Sequence, residues 1–289
     1  MKKFAQISLL WVGLAYSYLY GNTSTQVTKL WETENVFLGP EAVVYDAVRD
    51  FLYVSNVHLK NKDKRTEPPF TEFISKVSTD GKIIDREWIP NLNCTTGMVI
   101  YQDKLYAIER GAFLVINLKQ GILENRIQIE NTGFLNDVTV DCQGTFYITD
   151  SRQATVYRIK NEVVEKWLVS DEIAKPNGIL CDGDKLIIGV NSDNYLKSID
   201  LKSKTVTKIA FLDKGGIDGI SKYKNDYLVS HVAGNLYHIT TDGQVIELLN
   251  SREENLKIAD IGFIEDKQLI LAPILNKEIV IGYKLDLNK

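Results

Sequence analysis

Beyond about residue 25 the chain alternates short apolar runs with Asp/Asn/Gly turns, and the runs come in pairs, as where Glu41-Ala-Val-Val-Tyr-Asp46 is followed by Phe51-Leu-Tyr-Val-Ser55. Period-two alternation rich in β-branched and aromatic residues, bounded by turn residues, predicts strands. Six such segments open with Glu41, Thr96, Asn136, Asn177, Asp218 and Asp260, and from Thr96 onward the intervals are 40, 41, 41 and 42 residues. That period is the length of one four-stranded propeller blade. In the third segment the expected strands are 137–140, 145–149, 155–159 and 163–168, with a turn over Asp141-Cys-Gln-Gly144. Turns recur in register in the other segments, for example at Asp46 to Asp50, Asp182-Gly183-Asp184, Thr79-Asp-Gly81 and Thr241-Asp-Gly243. No stretch reads as a long amphipathic helix. The predicted fold class is all-β, a six-bladed β-propeller with four antiparallel strands per blade. The N-terminal run Thr25 to Trp31 supplies the strand that closes the ring and removes exposed sheet edges.

Antiparallel reversal fixes one further point. If the first strand of each blade starts on one face, the second returns to it, so Asn56, Glu109, Asp150, Asn191 and His231 are expected on the same face as the opening residues. The long connection from His58 to Phe70 lies there too and reads either as a lid or as a surface excursion.

Composition narrows the class. With 289 residues, 44% of them hydrophobic, the chain can bury the core of one domain, expected over 25–289. A net charge of −4 argues against a nucleic-acid surface, and the cluster Lys60, Lys62, Lys64 and Arg65 is broken by Asp63 and reads as a solvated loop. Lys2-Lys3, an apolar stretch from Ile7 to Tyr20 and Gly21-Asn-Thr-Ser24 follow the plan of a secretory signal peptide over 1–21. The stretch is too short and poorly flanked for a stable membrane span, although an uncleaved anchor is the alternative. Export implies a periplasmic or secreted domain. Cys94, Cys142 and Cys181 are an odd set without zinc-ligand spacing, which reads as buried apolar cysteines. The oligomeric state is not encoded in any pattern found here.

The chemistry-bearing set is Glu41, Asn136, Asn177 and Asp218. These are hard oxygen donors on separate elements that a propeller would bring to one axis. Such a set suits Ca²⁺, with Mg²⁺, Mn²⁺ or Zn²⁺ as less characteristic occupants. The alternative is that Asn and Asp stand at strand starts because they hydrogen-bond nearby backbone. Asp150 reads equally as a carboxylate that orients a ligand or as a strand-end cap. His231 reads as a proton shuttle or as a packed rim histidine. No Gly-x-Ser-x-Gly elbow and no Walker or Rossmann glycine pattern is present.

The runs Gly39-Pro-Glu41-Ala-Val, Leu135-Asn136-Asp137-Val-Thr-Val-Asp141-Cys-Gln-Gly144 with its continuation to Asp150-Ser151, Pro176-Asn177-Gly178-Ile and Gly216-Ile-Asp218-Gly219-Ile resemble the superfamily of SMP-30/gluconolactonase, paraoxonase-type lactonases and strictosidine synthase-like proteins. The resemblance implies a six-bladed propeller with a divalent metal at the top of the channel. It makes Glu41, Asn177 and Asp218 metal ligands and Asn136 a residue that binds metal or orients substrate or water. It also implies hydrolysis of a small-molecule lactone or related ester, and a carboxylate beside the metal makes Asp218 the candidate general base. Departures are Phe134 where gluconolactonase-like members carry Arg, Thr96 where paraoxonases carry a catalytic His, and Ala42 where paraoxonases carry Asp. They leave open a different class, a non-catalytic exported propeller that binds a small ligand or a partner with a structural metal. A strictosidine synthase-like condensing activity is disfavoured by the retained metal column.

Overall fold

The computed structural model describes residues 26–58, 69–213 and 215–286. The expected signal peptide and most of the His58 to Phe70 connection lie outside the described residues. Twenty-four strands form six four-stranded antiparallel sheets. Blade 1 comprises β2 (Pro40–Asp46), β3 (Phe51–Asn56), β4 (Glu72–Ser78) and β5 (Ile83–Leu92). Blade 2 comprises β6 (Met98–Tyr101), β7 (Lys104–Glu109), β8 (Ala112–Asn117) and β9 (Ile122–Gln128). Blade 3 is β10 (Leu135–Val140), β11 (Phe146–Asp150), β12 (Thr155–Lys160) and β13 (Val163–Val169). Blade 4 is β14 (Pro176–Asp182), β15 (Lys185–Val190), β16 (Tyr195–Asp200) and β17 (Val206–Phe211). Blade 5 is β18 (Ile217–Tyr223), β19 (Asp226–His231), β20 (Asn235–Ile239) and β21 (Val245–Asn250). Blade 6 joins β22 (Gly262–Ile264), β23 (Leu269–Ile274) and β24 (Ile279–Leu285) to β1 (Val27–Glu32). The expected closure is present: β1 pairs antiparallel with β24, Val27 opposite Leu285.

Strand position dictates composition. The second strand of each blade is covered on both faces by neighbouring blades, so β11 and β23 are buried along their whole length and β3, β15 and β19 are exposed only at their first residue. The outermost strands keep one wet side and carry the exposed apolar residues Ile84, Ile122, Val163 and Val245. Blades 2 and 3 interlock through Tyr106, Phe113 and Phe146, whose ring centroids lie 4.3 to 5.4 Å apart. Asp46 and Asp141 close their turns as the sequence predicts, each accepting two backbone N–H bonds at 2.8 to 3.1 Å.

One feature of the register concerns the axis. In every blade the innermost strand carries one residue more than its partner at its start. Between Pro40↔Asn56 and Val43↔Val54 the pair Glu41-Ala42 faces Ser55 alone, and Asn136-Asp137, Asn177-Gly178 and Asp218-Gly219 occupy the same position in β10, β14 and β18. In blade 2, Thr96 N donates to Ile108 O and Ile108 N donates to Gly97 O, so Thr96-Gly97 faces Ile108. In blade 6 the register runs from Ile258↔Ile274 to Gly262↔Leu271, again with one extra residue around Asp260. A bulge bends a strand and re-aims its side chain, so the six openers are turned away from the sheet plane. In three blades a hydroxyl of the facing strand satisfies the bulged N–H: Ser55 for Ala42, Thr149 for Asp137 and Ser230 for Gly219, at 2.8 to 3.1 Å.

Candidate functional site

The bulges bring the six strand starts together backbone to backbone. Asp260 N donates to Glu41 O at 2.9 Å across blades 6 and 1, and Gly97 N donates to Asn136 O at 2.9 Å across blades 2 and 3. Blades 4 and 5 meet so closely that a Cβ on Gly178 would lie 1.8 Å from the Asp218 carbonyl oxygen, and blades 5 and 6 so closely that a Cβ on Gly219 would lie 2.3 Å from Asp260 Oδ1. Only glycine permits that approach. Thr149 Oγ1 donates to Asn177 O at 2.8 Å and so ties blade 3 to blade 4.

Four carboxylates are electrostatically linked at this hub: Glu41, Asp137, Asp218 and Asp260. Burial is the leading cause that raises all four pKa values. Glu41 is pushed well above the ordinary carboxylate range by burial and then by Asp218, Asp137 and Cys94. Asp260 is pushed up likewise by burial, Asp137, Glu41 and Asp218. Asp137 rises to about 7 although the Ile179 and Val138 N–H groups donate to it at 2.8 and 2.7 Å. Asp218 also rises to about 7, against the pull of the Asn177 side-chain amide. Among the described residues no Lys or Arg contributes at any of the four. A buried anionic cluster without a counter-charge must take up protons or a cation.

The donor atoms fit a cation. Glu41 Oε2 and Asn177 Oδ1 are buried and have no hydrogen-bond partner, and both belong to residues linked to Asp218. Buried polar atoms are rarely left without a partner, so two on residues that both interact with Asp218 leave room for a further group there. The set is all oxygen and mixes carboxylate with amide, which is calcium-like chemistry. Among the described residues no three His, Cys, Asp or Glu side chains are grouped to hold a metal ion, so such a cation would depend on an amide oxygen as well as Glu41 and Asp218.

The other expected site residues fall as follows. Asn136 opens β10 in the same ring, and its Nδ2 donates to Ser151 Oγ at 2.9 Å, with Ser151 in turn donating to Pro176 O at 2.5 Å. It takes no part in the coupling among the four carboxylates. Asp150 is fully buried and accepts backbone N–H bonds from Gly133, Phe134, Arg152 and Gln153 at 2.7 to 3.1 Å, which places it as an anchor of two loops. His231 is fully buried, its Nε2 lies 2.9 Å from Asp213 O, and burial pushes its pKa down. Asn56 and Glu109 do the same work in their blades, accepting from Leu38 N at 3.1 Å and Asn93 N at 2.7 Å. These strand-end polar groups pin the segments leading into the innermost strands. Asn191 lies on the expected face, just after β15: Val190 ends that strand opposite Pro176, and Asn191 exchanges hydrogen bonds with Ile217 at the start of β18 at 2.7 and 3.0 Å.

Asp137 and Asp260 were not among the expected site residues. Asp260 belongs to the opening column by interval alone and so carried a signal, whereas Asp137 follows Asn136 in a bulge that only the strand register reveals. They line a channel cavity of about 220 Å³ whose other walls are mostly apolar, including Val43, Met98, Val138, Ile220 and Phe263. Beside the hub, on the face of the openers, a cleft of about 440 Å³ runs between blades 2 and 3, with Cys94 and Leu135 on its hub side and Arg110, Phe134 and Arg152 among its other walls.

The fold is shared with solved propellers. A putative gluconolactonase matches at 16% identity over 91% of this chain and 92% of its own, with a TM-score of 0.69. A gluconolactonase from Xanthomonas campestris matches at 15% identity over 90% and 89%, also at 0.69. Virginiamycin B lyase from Staphylococcus aureus matches at 15% identity over 90% of this chain and 99% of its own, at 0.63. No protein-family model matches the chain. No curated protein matches it in sequence.

Proposed function

We propose that this chain is an exported, divalent-cation-dependent hydrolase that opens lactones or related esters. One observation carries the reading: at the axis, buried Glu41 and Asn177 oxygens without partners among the described residues adjoin carboxylates that no basic residue of the described chain neutralises. Glu41, Asn177 and Asp218 would hold the cation, with Ca²⁺ the best match and Zn²⁺, Mg²⁺ or Mn²⁺ as competitors in the test. Such an ion supplies Lewis-acid polarisation of an acyl carbonyl and lowers the pKa of water.

The chain's own residues supply the rest. Asp218, a carboxylate beside the cation, would take the proton of the attacking water through an oxygen not committed to the ion and return it to the departing ring oxygen. Water thus adds across the acyl C–O bond: hydroxyl goes to carbon and the proton to the alkoxide. Asn136, held through Nδ2 by Ser151, keeps its carbonyl oxygen available to orient water or substrate. The fold itself does not choose the reaction, since gluconolactonases and virginiamycin B lyase share it. Export rests on the signal-like stretch over 1–21, and it places the product in the periplasm or outside the cell.

The test is hydrolysis of aromatic, aliphatic, acyl-homoserine and sugar lactones by purified protein, before and after chelation, with Asp218→Asn alongside. The expected result is turnover lost to chelator and restored by Ca²⁺, with Asp218→Asn lowering kcat by about 10²-fold or more. Thermal stabilisation by Ca²⁺ without turnover of any lactone would instead establish a binding propeller with a structural ion.

A further inference from the structure

The cleft between blades 2 and 3 has a charge opposite to that of the hub beside it. Arg110 and Arg152, both exposed, extend from the connections that follow β7 and β11 and line it. Other arginines of the described residues are engaged: Arg49 with Asp46 and Asp103, Arg86 with Glu87, Arg126 with Glu109, Arg158 with Glu165, and Arg252 with the Asn235 amide oxygen. Arg110 and Arg152 make no ion pair within the described residues, and Arg152 has only the face of Phe134, at 5.6 Å from the ring centroid. Asp150, the carboxylate nearest to Arg152 in sequence, is buried and occupied by four backbone N–H groups.

The walls are also kept bare. Gly111 at φ +69° and Gly133 form part of the lining, and a Cβ on Gly133 would lie 2.6 Å from Arg152 Cβ and 2.9 Å from Asp150 Oδ1. A volume of about 440 Å³ accommodates a small molecule. A guanidinium offers a fork of N–H donors that matches carboxylate and phosphate oxygens. An aromatic face beside it accepts a ring or acyl portion. Leu135 closes the hub side of the cleft, and the next residue is Asn136.

We propose that this cleft is an anion subsite, in which Arg110 and Arg152 receive a carboxylate or phosphate carried by the substrate while its uncharged body lies along Phe134 toward the channel mouth. The substrate class is therefore an anionic lactone or ester whose charge is remote from the reacting carbonyl. An anion at the hub itself would face four carboxylates, so the paired arginines also set which end enters first. The inference rests on the reading that the reacting group sits at the hub, and its test is a binding measurement that does not need catalysis.

The probes are 5-oxopyrrolidine-3-carboxylate, the corresponding phosphonate and the neutral carboxamide, lactams that report binding without hydrolysis. Calorimetric titration of the Ca²⁺-loaded protein is expected to favour at least one acid over the amide by about tenfold or more, with the preference shrinking as salt is raised. Which acid wins identifies the anion. Arg110→Gln and Arg152→Gln should each cut that preference severalfold, and the double variant should abolish it. Arg158→Gln, on the outer face of blade 3, should leave it intact. Both cleft arginines are exposed, so their replacement spares the core, and melting curves check this. Equal binding of acids and amide, binding of none, or a preference indifferent to both arginines would overturn the subsite. A preference without turnover of any lactone would overturn the hydrolase reading alone, whereas turnover without preference would overturn the subsite alone.

Discussion

At the channel mouth Gly178 has no room for a Cβ, which would fall 1.8 Å from the Asp218 carbonyl oxygen, whereas in the neighbouring cleft a Cβ on Gly111 would find nothing nearer than 3.7 Å. The mouth is built by backbones pressed together and gathers buried carboxylates. The cleft is built by loops, stands open and gathers exposed guanidiniums. Rigid packing of the first kind fixes a donor geometry to fractions of an ångström, and loops of the second kind can vary without disturbing it. The two charges are not spent on each other: neither Arg110 nor Arg152 figures among the influences on Glu41, Asp137, Asp218 or Asp260.

The contrast can be broken most sharply by adding one methyl group to each region. Gly178→Ala must displace backbone, so a loss of about 3 kcal/mol or more is expected, while Gly111→Ala meets space and should cost only about 1 kcal/mol for its left-handed conformation. Urea denaturation of the two variants measures the difference, and similar losses would show that the mouth yields as easily as the loops.

A second effect separates the regions by charge. The hub carboxylates have folded pKa values raised above their unfolded ones, so the stability they confer is fully present below the ordinary carboxylate range and is lost as pH rises through about 7. In cation-free protein, unfolding free energy should therefore fall between about pH 4 and 7, by on the order of a few kcal/mol. Calcium should flatten that slope and release protons on binding. The cleft arginines stay charged throughout and should add no slope. Chemical denaturation across this pH range, with and without Ca²⁺, is the measurement, and a flat profile in chelator would remove the uncompensated cluster.

The smallest of these effects concerns what holds a bulge in place. Thr149→Val keeps the shape but leaves Asp137 N and Asn177 O without the hydroxyl that now serves both, for a loss of about 2 kcal/mol. Its signature is a shift in the denaturation midpoint at unchanged slope. No shift would mean that the bulge is held by packing alone.

The fold was legible because each blade repeats one pattern of alternation and turn residues at a nearly constant interval, and the strand starts, the turns and the closing run could be counted off. The hub was legible in part, since Glu41, Asn136, Asn177, Asp218 and Asp260 all occupy that repeating position. Asp137 escaped notice because its role depends on the bulge, a property of register between two strands that neither strand states alone. Asn191 lies on the expected face but just past the end of β15, because Val190, like Ile274 in blade 6, is an apolar residue where blades 1, 3 and 5 carry Asn, Asp and His. Arg110 and Arg152 sit in loops, where no periodicity marks a residue, and only the absence of nearby acids in three dimensions singles them out.

Blade 6 is assembled from both ends of the described chain, β1 laid against β24. Glu41 and Asp260, joined through Asp260 N and Glu41 O, stand on either side of that seam. A ribosome must therefore deliver everything through Leu285 before the circle can be fastened. A chain cut short of β24 would lack the strand that β1 pairs with, and blade 6 would be left open between Asp260 and Glu41.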